Sequence, residues 1–332
     1  MLRLCPFELL FPKDVAEATA LLSLYGETAK ICAGGTDLLP NMKHELHEPQ
    51  FVVHLGAVSE LRGMSEGVMP AKAGIQELVI GAMTTLDEVA NSPLVKAYAP
   101  SLAAAACHVA GPQLRNMGTI GGNLCLDTRC LYYNQSYFWR EAVGFCLKKC
   151  GDACHVTKTG KRCVAASSND TATALLCLDA RLELISERGM RMVPIEEFYV
   201  ANGEKNNILA ADEILSRVII SKPPLHRREG FSKLRHREAV DFPMLSVAVR
   251  FDLDDSDFIQ DARLTVNALA AKPKQLDVRW MLGRKLDERL VLEAGEFAKV
   301  RCIPLTNICD DPKWRKDMVA VYVKKACSFI FN

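Results

Sequence analysis

The sequence predicts an α+β fold of two unequal parts, and three observations carry that expectation. Helix and strand patterns alternate from the N-terminus to about residue 222, and a glycine turn follows one of the first apolar strands. The last third reads instead as strands followed by two helices. At 332 residues the chain exceeds one ordinary core, so two or three domains are expected.

The elements follow in order. Leu2–Phe11 is apolar but short and is broken by Pro6 and Pro12, with no small-residue cleavage site after it, so it is not read as an export signal. Val15, Ala18, Leu21 and Leu22 recur at helical spacing behind Asp14, a natural cap. Ala29–Ala33 and Phe51–Leu55 read as strands, with Gly34-Gly35-Thr36-Asp37 after the first. Leu78–Ala82 is a further strand, Leu86–Ala90 a helix, and the Ala-rich run from about Pro93 to Val109 one longer helix. Beyond the cysteine-rich centre, Thr171–Leu178 predicts a buried helix, and Arg181–Ser186 pairs with Met190–Pro194 across Arg188-Gly189. Glu213–Ser221 is a strand ending at a boundary, Lys222-Pro223-Pro224. Strands at Met244–Leu253 and Ala262–Leu269 then precede helices at Asp287–Val300 and Pro312–Phe329.

Forty-one basic residues balance forty acidic ones, a net charge of +1, which argues against nucleic acid or an anionic membrane as partner. No apolar run approaches the roughly 20 residues that span a bilayer. A cytoplasmic protein is expected, and in that reducing compartment thirteen cysteines are not a disulfide framework. Cys5, Cys32, Cys302, Cys309 and Cys327 lie among apolar neighbours and are expected as small core residues. Six others crowd the polar stretch from Cys125 to Cys163, which points to a metal or redox centre. Without a close C-x-x-C pair an ordinary zinc knuckle is disfavoured, but four thiolates from one loop suit either zinc or a 4Fe-4S cluster.

Gly34-Gly35-Thr36-Asp37 can present successive amides to an anion, and Thr119-Ile120-Gly121-Gly122-Asn123 supplies a second glycine turn. Neither is a Rossmann or Walker pattern. Two such turns could cradle the two phosphates of a dinucleotide. Ala33-Gly34-Gly35-Thr36-Asp37-Leu38-Leu39-Pro40 resembles the first FAD loop of the flavin subunits of the xanthine oxidase family. Gly81-Ala82-Met83-Thr84-Thr85-Leu86 resembles that family's next block, and Arg115 to Asn123 its second FAD loop. The resemblance implies a vanillyl-alcohol-oxidase-type FAD-binding domain over 1–222, with subdomains 1–57 and 58–222, and a smaller α+β domain over 225–332.

It also implies roles. Ala33, Gly34, Gly35, Thr36, Asp37 and Leu38 would wrap the FAD pyrophosphate, and Thr119, Gly121, Gly122 and Asn123 would hold its other side. Thr84, Val109, Leu215 and Lys233 would line the cofactor, and Asp170 would hydrogen-bond it. Relative to most of the family, a segment from Cys125 to about Ser167 is inserted. Such an insertion is similar to that of the 4-hydroxybenzoyl-CoA reductase branch, with Gly121 to Cys130, Tyr133 to Ser136 and Asp241-Phe242-Pro243 as shared features. That resemblance maps the 4Fe-4S ligands onto Cys130, Cys146, Cys154 and Cys163, with Cys125 and Cys150 as bystanders. Lys148, Lys149, Lys158, Lys161 and Arg162 then face an anionic cluster, or form a docking patch for an acidic donor.

The function so implied is electron transfer, with no catalytic residue on this chain. Electrons would pass from ferredoxin through 4Fe-4S and FAD to the 2Fe-2S clusters of a small subunit and the molybdopterin of a large one, the complex being a dimer of heterotrimers. His44, His47, His108 and His155 are expected as surface or packing residues. Two alternatives stay open: a flavin subunit of an NAD- or oxygen-linked hydroxylase, and a structural zinc-binding module.

Overall fold

The computed structural model describes residues 2–68 and 76–328. Three sheets organise it. The N-terminal sheet is parallel, with Phe51–His54 between Glu8–Leu10 and Ala29–Cys32. The helix Val15–Tyr25 covers it, started by the Asp14 carboxylate, which accepts from the Glu17 amide at 2.8 Å. Leu9 is exposed and Leu10 half-buried, so the short first strand sits at an edge inside the proline-flanked segment.

The second sheet is antiparallel, in the order Met64–Val68, Gln76–Gly81, Ile214–Ser221, Arg181–Ser186, Gly189–Pro194. Its hairpin closes with Ser186 opposite Gly189, one residue tighter than the sequence suggested. The third sheet orders Lys274–Leu276, Ile259–Asn267, Leu245–Leu253 and Arg227–Leu234, all antiparallel. Glu288–Arg301 and Pro312–Ser328 pack on each other and on this sheet. Phe329, the expected end of the last helix, lies outside the described residues. No described helix is long and apolar enough to cross a membrane.

The helix Asp170–Cys177, every residue of which is buried, packs on the third sheet and against the helix Pro100–Cys107. Its polar side chains are paired inside, Thr171 with Asn123 and Thr173 with Ser246, and its N-terminus brings Asp170 to the cleft. One expected helix is two: Pro93–Tyr98 and Pro100–Cys107 are separated at Ala99, whose φ of −152° breaks the run. Pro100 is the reason, because its ring disfavours the helical conformation of the residue before it. Among the scattered cysteines Cys32, Cys302 and Cys327 are buried as expected, whereas Cys309 is exposed and Cys5 only half-buried. Cys309 leaves the core because the loop that carries it turns outward beside His236 and Asp310.

Candidate functional site: a two-glycine-turn cleft beside a four-cysteine cage

The two glycine turns meet. A Cβ on Gly34 would lie 1.8 Å from the Met117 carbonyl oxygen, so only glycine allows the first turn to touch the backbone entering the second. Gly35 follows at φ +70°, where a side chain is strained. Among the described residues the amides of Gly34, Gly35, Thr36 and Asp37 find no acceptor in the chain, which leaves a row of donors facing a cleft of about 900 Å³. On the opposite wall the Thr119 hydroxyl accepts from the Gly122 amide at 3.0 Å and fixes the second turn.

Ala33 through Leu38, Val109, Thr119, Gly121, Gly122, Asn123, Asp170, Leu215 and Lys233 all border this cleft. Thr84 does not. Its buried hydroxyl donates to the Gly63 carbonyl at 3.0 Å and accepts from the Gly63 amide at 3.1 Å, so it holds the loop behind the wall. Asn123 is engaged too: its Oδ1 accepts from the Thr171 hydroxyl at 2.6 Å. The Lys233 Nζ donates to Asp170 Oδ2 at 2.6 Å and to the His108 carbonyl at 3.0 Å, with both side chains almost wholly buried. Burial raises the Asp170 carboxyl above its usual range, with Lys233 and Arg235 opposing it. Asp170 Oδ1 is buried without a partner at the cleft, an acceptor fit for a hydroxyl or ring N–H of a bound cofactor.

Beside this cleft, Cys130, Cys146, Cys154 and Cys163 surround a second, small cavity. Burial pushes the Cys130 thiol up to about 11, and the other three thiols push the same way. Burial alone would raise Cys154 too, but hydrogen bonds from the Thr157 side chain and from the amides of Thr157, Val156 and Val164 bring it below its ordinary value. Among the described residues no three of these sulfurs lie within 4.8 Å of one another. A single tetrahedral zinc with Zn–S bonds of about 2.3 Å needs its sulfurs closer, roughly 4 Å apart. Cys125 is not among the residues around that cavity; it borders the flavin cleft and packs against the main core, with its thiol pushed up to about 12 by burial, and Cys150 is exposed at φ 65°.

Several residues at the site were not anticipated. Arg129 reaches from the cysteine segment to Asp37 of the first turn, with its guanidinium 4.3 Å over the Phe242 ring, and burial lowers its pKa to about 10. His47 lines the cleft 3.8 Å from Asp127, so it is not a plain surface residue. The supposed docking lysines separate into two groups. Lys148 is not on the surface: its side chain is 3% exposed and its Nζ donates to Asp127 Oδ1 at 2.7 Å. Lys149 pairs with Glu48 at 3.2 Å. Lys158, Lys161 and Arg162 remain exposed. Basic neighbours in sequence suggested one patch, but the fold turns Lys148 inward onto the Tyr133 ring, 4.5 Å away.

Known proteins share this architecture. The family described as the FAD binding domain in molybdopterin dehydrogenase matches residues 5–223, and the CO dehydrogenase flavoprotein C-terminal domain matches 230–329. The carbon monoxide dehydrogenase medium chain of Hydrogenophaga pseudoflava is 29% identical over 324 residues, 96% of this chain and 95% of that one. The xanthine dehydrogenase FAD-binding subunit of Escherichia coli O157:H7 is 31% identical over 248 residues, 74% of this chain and 68% of that protein. A solved structure of the Hydrogenophaga pseudoflava carbon monoxide dehydrogenase superposes with a TM-score of 0.78 at 25% identity, covering 99% of this chain and 98% of that one. The paired glycine turns and the C-terminal sheet therefore belong to one shared design, and the chain is a member of the FAD-binding medium subunits of the molybdenum hydroxylases, oxidoreductases whose substrate chemistry lies on a partner subunit.

Proposed function

We propose that this subunit serves a molybdenum-containing aromatic acyl-CoA reductase similar to 4-hydroxybenzoyl-CoA reductase, acting in the cytoplasm as its electron port. The observation that carries the reading is the convergence of Cys130, Cys146, Cys154 and Cys163 on one cavity against the flavin cleft. Four thiolates around one cavity suit a 4Fe-4S cluster. Bound together, FAD and a cluster would link one-electron delivery to two-electron substrate reduction. In this reading the chain's own residues hold and separate the two groups. The free amides after Ala33 and the turn at Thr119, Gly121, Gly122 and Asn123 bind the pyrophosphate, while Asp170, Leu215, Val109 and Lys233 fix the rest of the cofactor. The proposed partners are a molybdopterin-binding large subunit and a 2Fe-2S small subunit in a dimer of heterotrimers, with ferredoxin as donor at the exposed Lys158, Lys161 and Arg162. The functional division is 1–222 for FAD and cluster, with 225–332 as the flavin-subunit domain.

The test is anaerobic purification with iron, sulfide and flavin analysis of single Cys→Ser variants. Loss of cluster from each of the four, with full cluster in Cys125→Ser and Cys150→Ser, is expected. A full cluster in any of the four overturns that ligand set, and a colourless zinc protein overturns the whole reading. A second reading is an NAD- or oxygen-linked flavin subunit, favoured by relatives named as xanthine and nicotinate dehydrogenases. Steady-state NAD reduction by the assembled complex, without dehydroxylation of an aromatic acyl-CoA, would select it.

A further inference from the structure

We infer that Lys148 and Tyr133 form the coupling partition between the flavin cleft and the cysteine cage, and that the Lys148 ammonium is a positioning charge setting the redox balance across it. This rests on the cluster proposed above. Among the described residues, Tyr133 and Lys148 are the two that border both cavities. Neither is there by accident of chain path. Tyr133 is 3% exposed, and Lys148 is anchored by Asp127 at 2.7 Å and by the Thr128 carbonyl at 3.1 Å, with its hydroxyl also in reach. The ammonium lies 4.5 Å over the Tyr133 ring.

A lysine needed only to fill a wall has no reason to bring its charge inside, since desolvating an ammonium is costly unless it is paired. Here the pairing is provided by one carboxylate, Asp127, so the pair is compact and its field is local. That charge stands at the cage itself, since Lys148 borders the cysteine cavity two residues after Cys146. Adding one electron to a thiolate-held cluster adds one negative charge, and a fixed cation next to it favours that state in a weakly screened interior. One electron leaves one side and arrives on the other, while Lys148 exchanges no proton and forms no bond.

Reversing the sign of the perturbation separates tuning from packing. Lys148→Met removes the cation, and Asp127→Asn removes its counter-charge. In the full chain loaded with iron, sulfide and FAD, redox titration followed by electron paramagnetic resonance for the cluster and absorbance for the flavin should move in opposite directions. Lys148→Met should shift the cluster's one-electron equilibrium at least tenfold toward the oxidised form, about 59 mV, and Asp127→Asn toward the reduced form. Lys148→Arg should stay near wild type. Unchanged potentials in both variants at full iron and flavin content overturn the inference, as do shifts of the same sign. If wild type holds no iron, the cluster reading has failed, and opposite shifts of the flavin alone still decide the role of Lys148. If Lys148→Met does not fold, Asp127→Asn against Lys148→Arg decides it.

Discussion

Replacing Gly34 with alanine tests whether the contact between the two glycine turns makes the cofactor cradle. The added methyl would sit 1.8 Å from the Met117 carbonyl oxygen and 2.5 Å from its carbon, where ordinary contact begins at 3.4 Å. The atoms in the way are backbone, so no rotamer relieves the overlap, and the turns must separate by about 1.6 Å. Overpacking of that kind costs about 1–3 kcal/mol. Separation moves both walls of the pyrophosphate site apart, so most of the cost should fall on binding. At about 1.4 kcal/mol per decade, FAD affinity should drop roughly 10- to 100-fold. The assay is fluorescence titration of FAD into the flavin-free full chain. Gly67→Ala is the control, because among the described residues its new methyl meets only Val79 Cγ2 at 3.5 Å, in the strand Met64–Val68. Wild-type affinity in Gly34→Ala, within about twofold, would refute the argument that the turns touch.

Two further outcomes follow from buried charge. Lys233→Met strands Asp170 in the interior, and removing one partner of such a pair costs about 3–5 kcal/mol by denaturant unfolding. The double variant with Asp170→Asn should recover most of that loss, and additive losses would show that the pair is not the unit. Arg191 grips Glu213 through two 2.7 Å hydrogen bonds, and this fork first, then the Ala210 amide, holds the carboxyl below its ordinary 4.5 despite burial. A lowered carboxyl pKa stabilises the fold above the ordinary value, and the gain is lost as pH falls through the folded one. The melting-temperature gap between wild type and Glu213→Gln should therefore be widest near neutrality and close in acid; a gap that is constant with pH would rule this out.

What the sequence made legible was local. The Asp14-capped helix, the hairpin from Arg181 and both glycine turns are written in periodicity and turn chemistry within a few residues. The three-residue strand Glu8–Leu10 was hidden because it lies between prolines and offers no alternation to read. Pro100 could have exposed the break at Ala99, but the alanine-rich run on both sides reads as one helix when propensity alone is weighed. Partners distant in the chain were out of reach. Lys233 was placed at the cofactor by the family resemblance alone, and nothing near it in sequence pairs it with Asp170, sixty-three positions earlier. For Lys148 the sequence left two readings open, a charge facing the cysteine centre or part of a docking patch, and only its neighbours in space, Asp127 and Tyr133, take it off the surface. Thr84 was carried by its place in a family block, whereas its hydroxyl is spent on Gly63.

The cysteine segment is also more firmly attached than an insertion between two family blocks suggests. Arg129 binds Asp37 of the first turn and donates to Asn41 Oδ1 at 3.3 Å, while its backbone pairs with Ala166 through two 2.7 Å hydrogen bonds. Arg140, 2% exposed, donates to the carbonyls of His44 at 2.8 Å and Glu45 at 3.1 Å, and Lys149 reaches the Leu46 carbonyl at 3.3 Å. Three basic side chains of the segment thus satisfy the stretch that runs directly on from the first glycine turn. A loop that merely bulged from the surface would leave those carbonyls to water. Because Cys130 adjoins Arg129, ordering the cage orders the guanidinium that braces Asp37, and ordering the flavin turn braces the cage in return. By linkage, any free energy with which a filled cage tightens the flavin turn is the same free energy with which bound flavin tightens the cage. The insertion is best understood as a third wall of the flavin site, with the cage built into that wall.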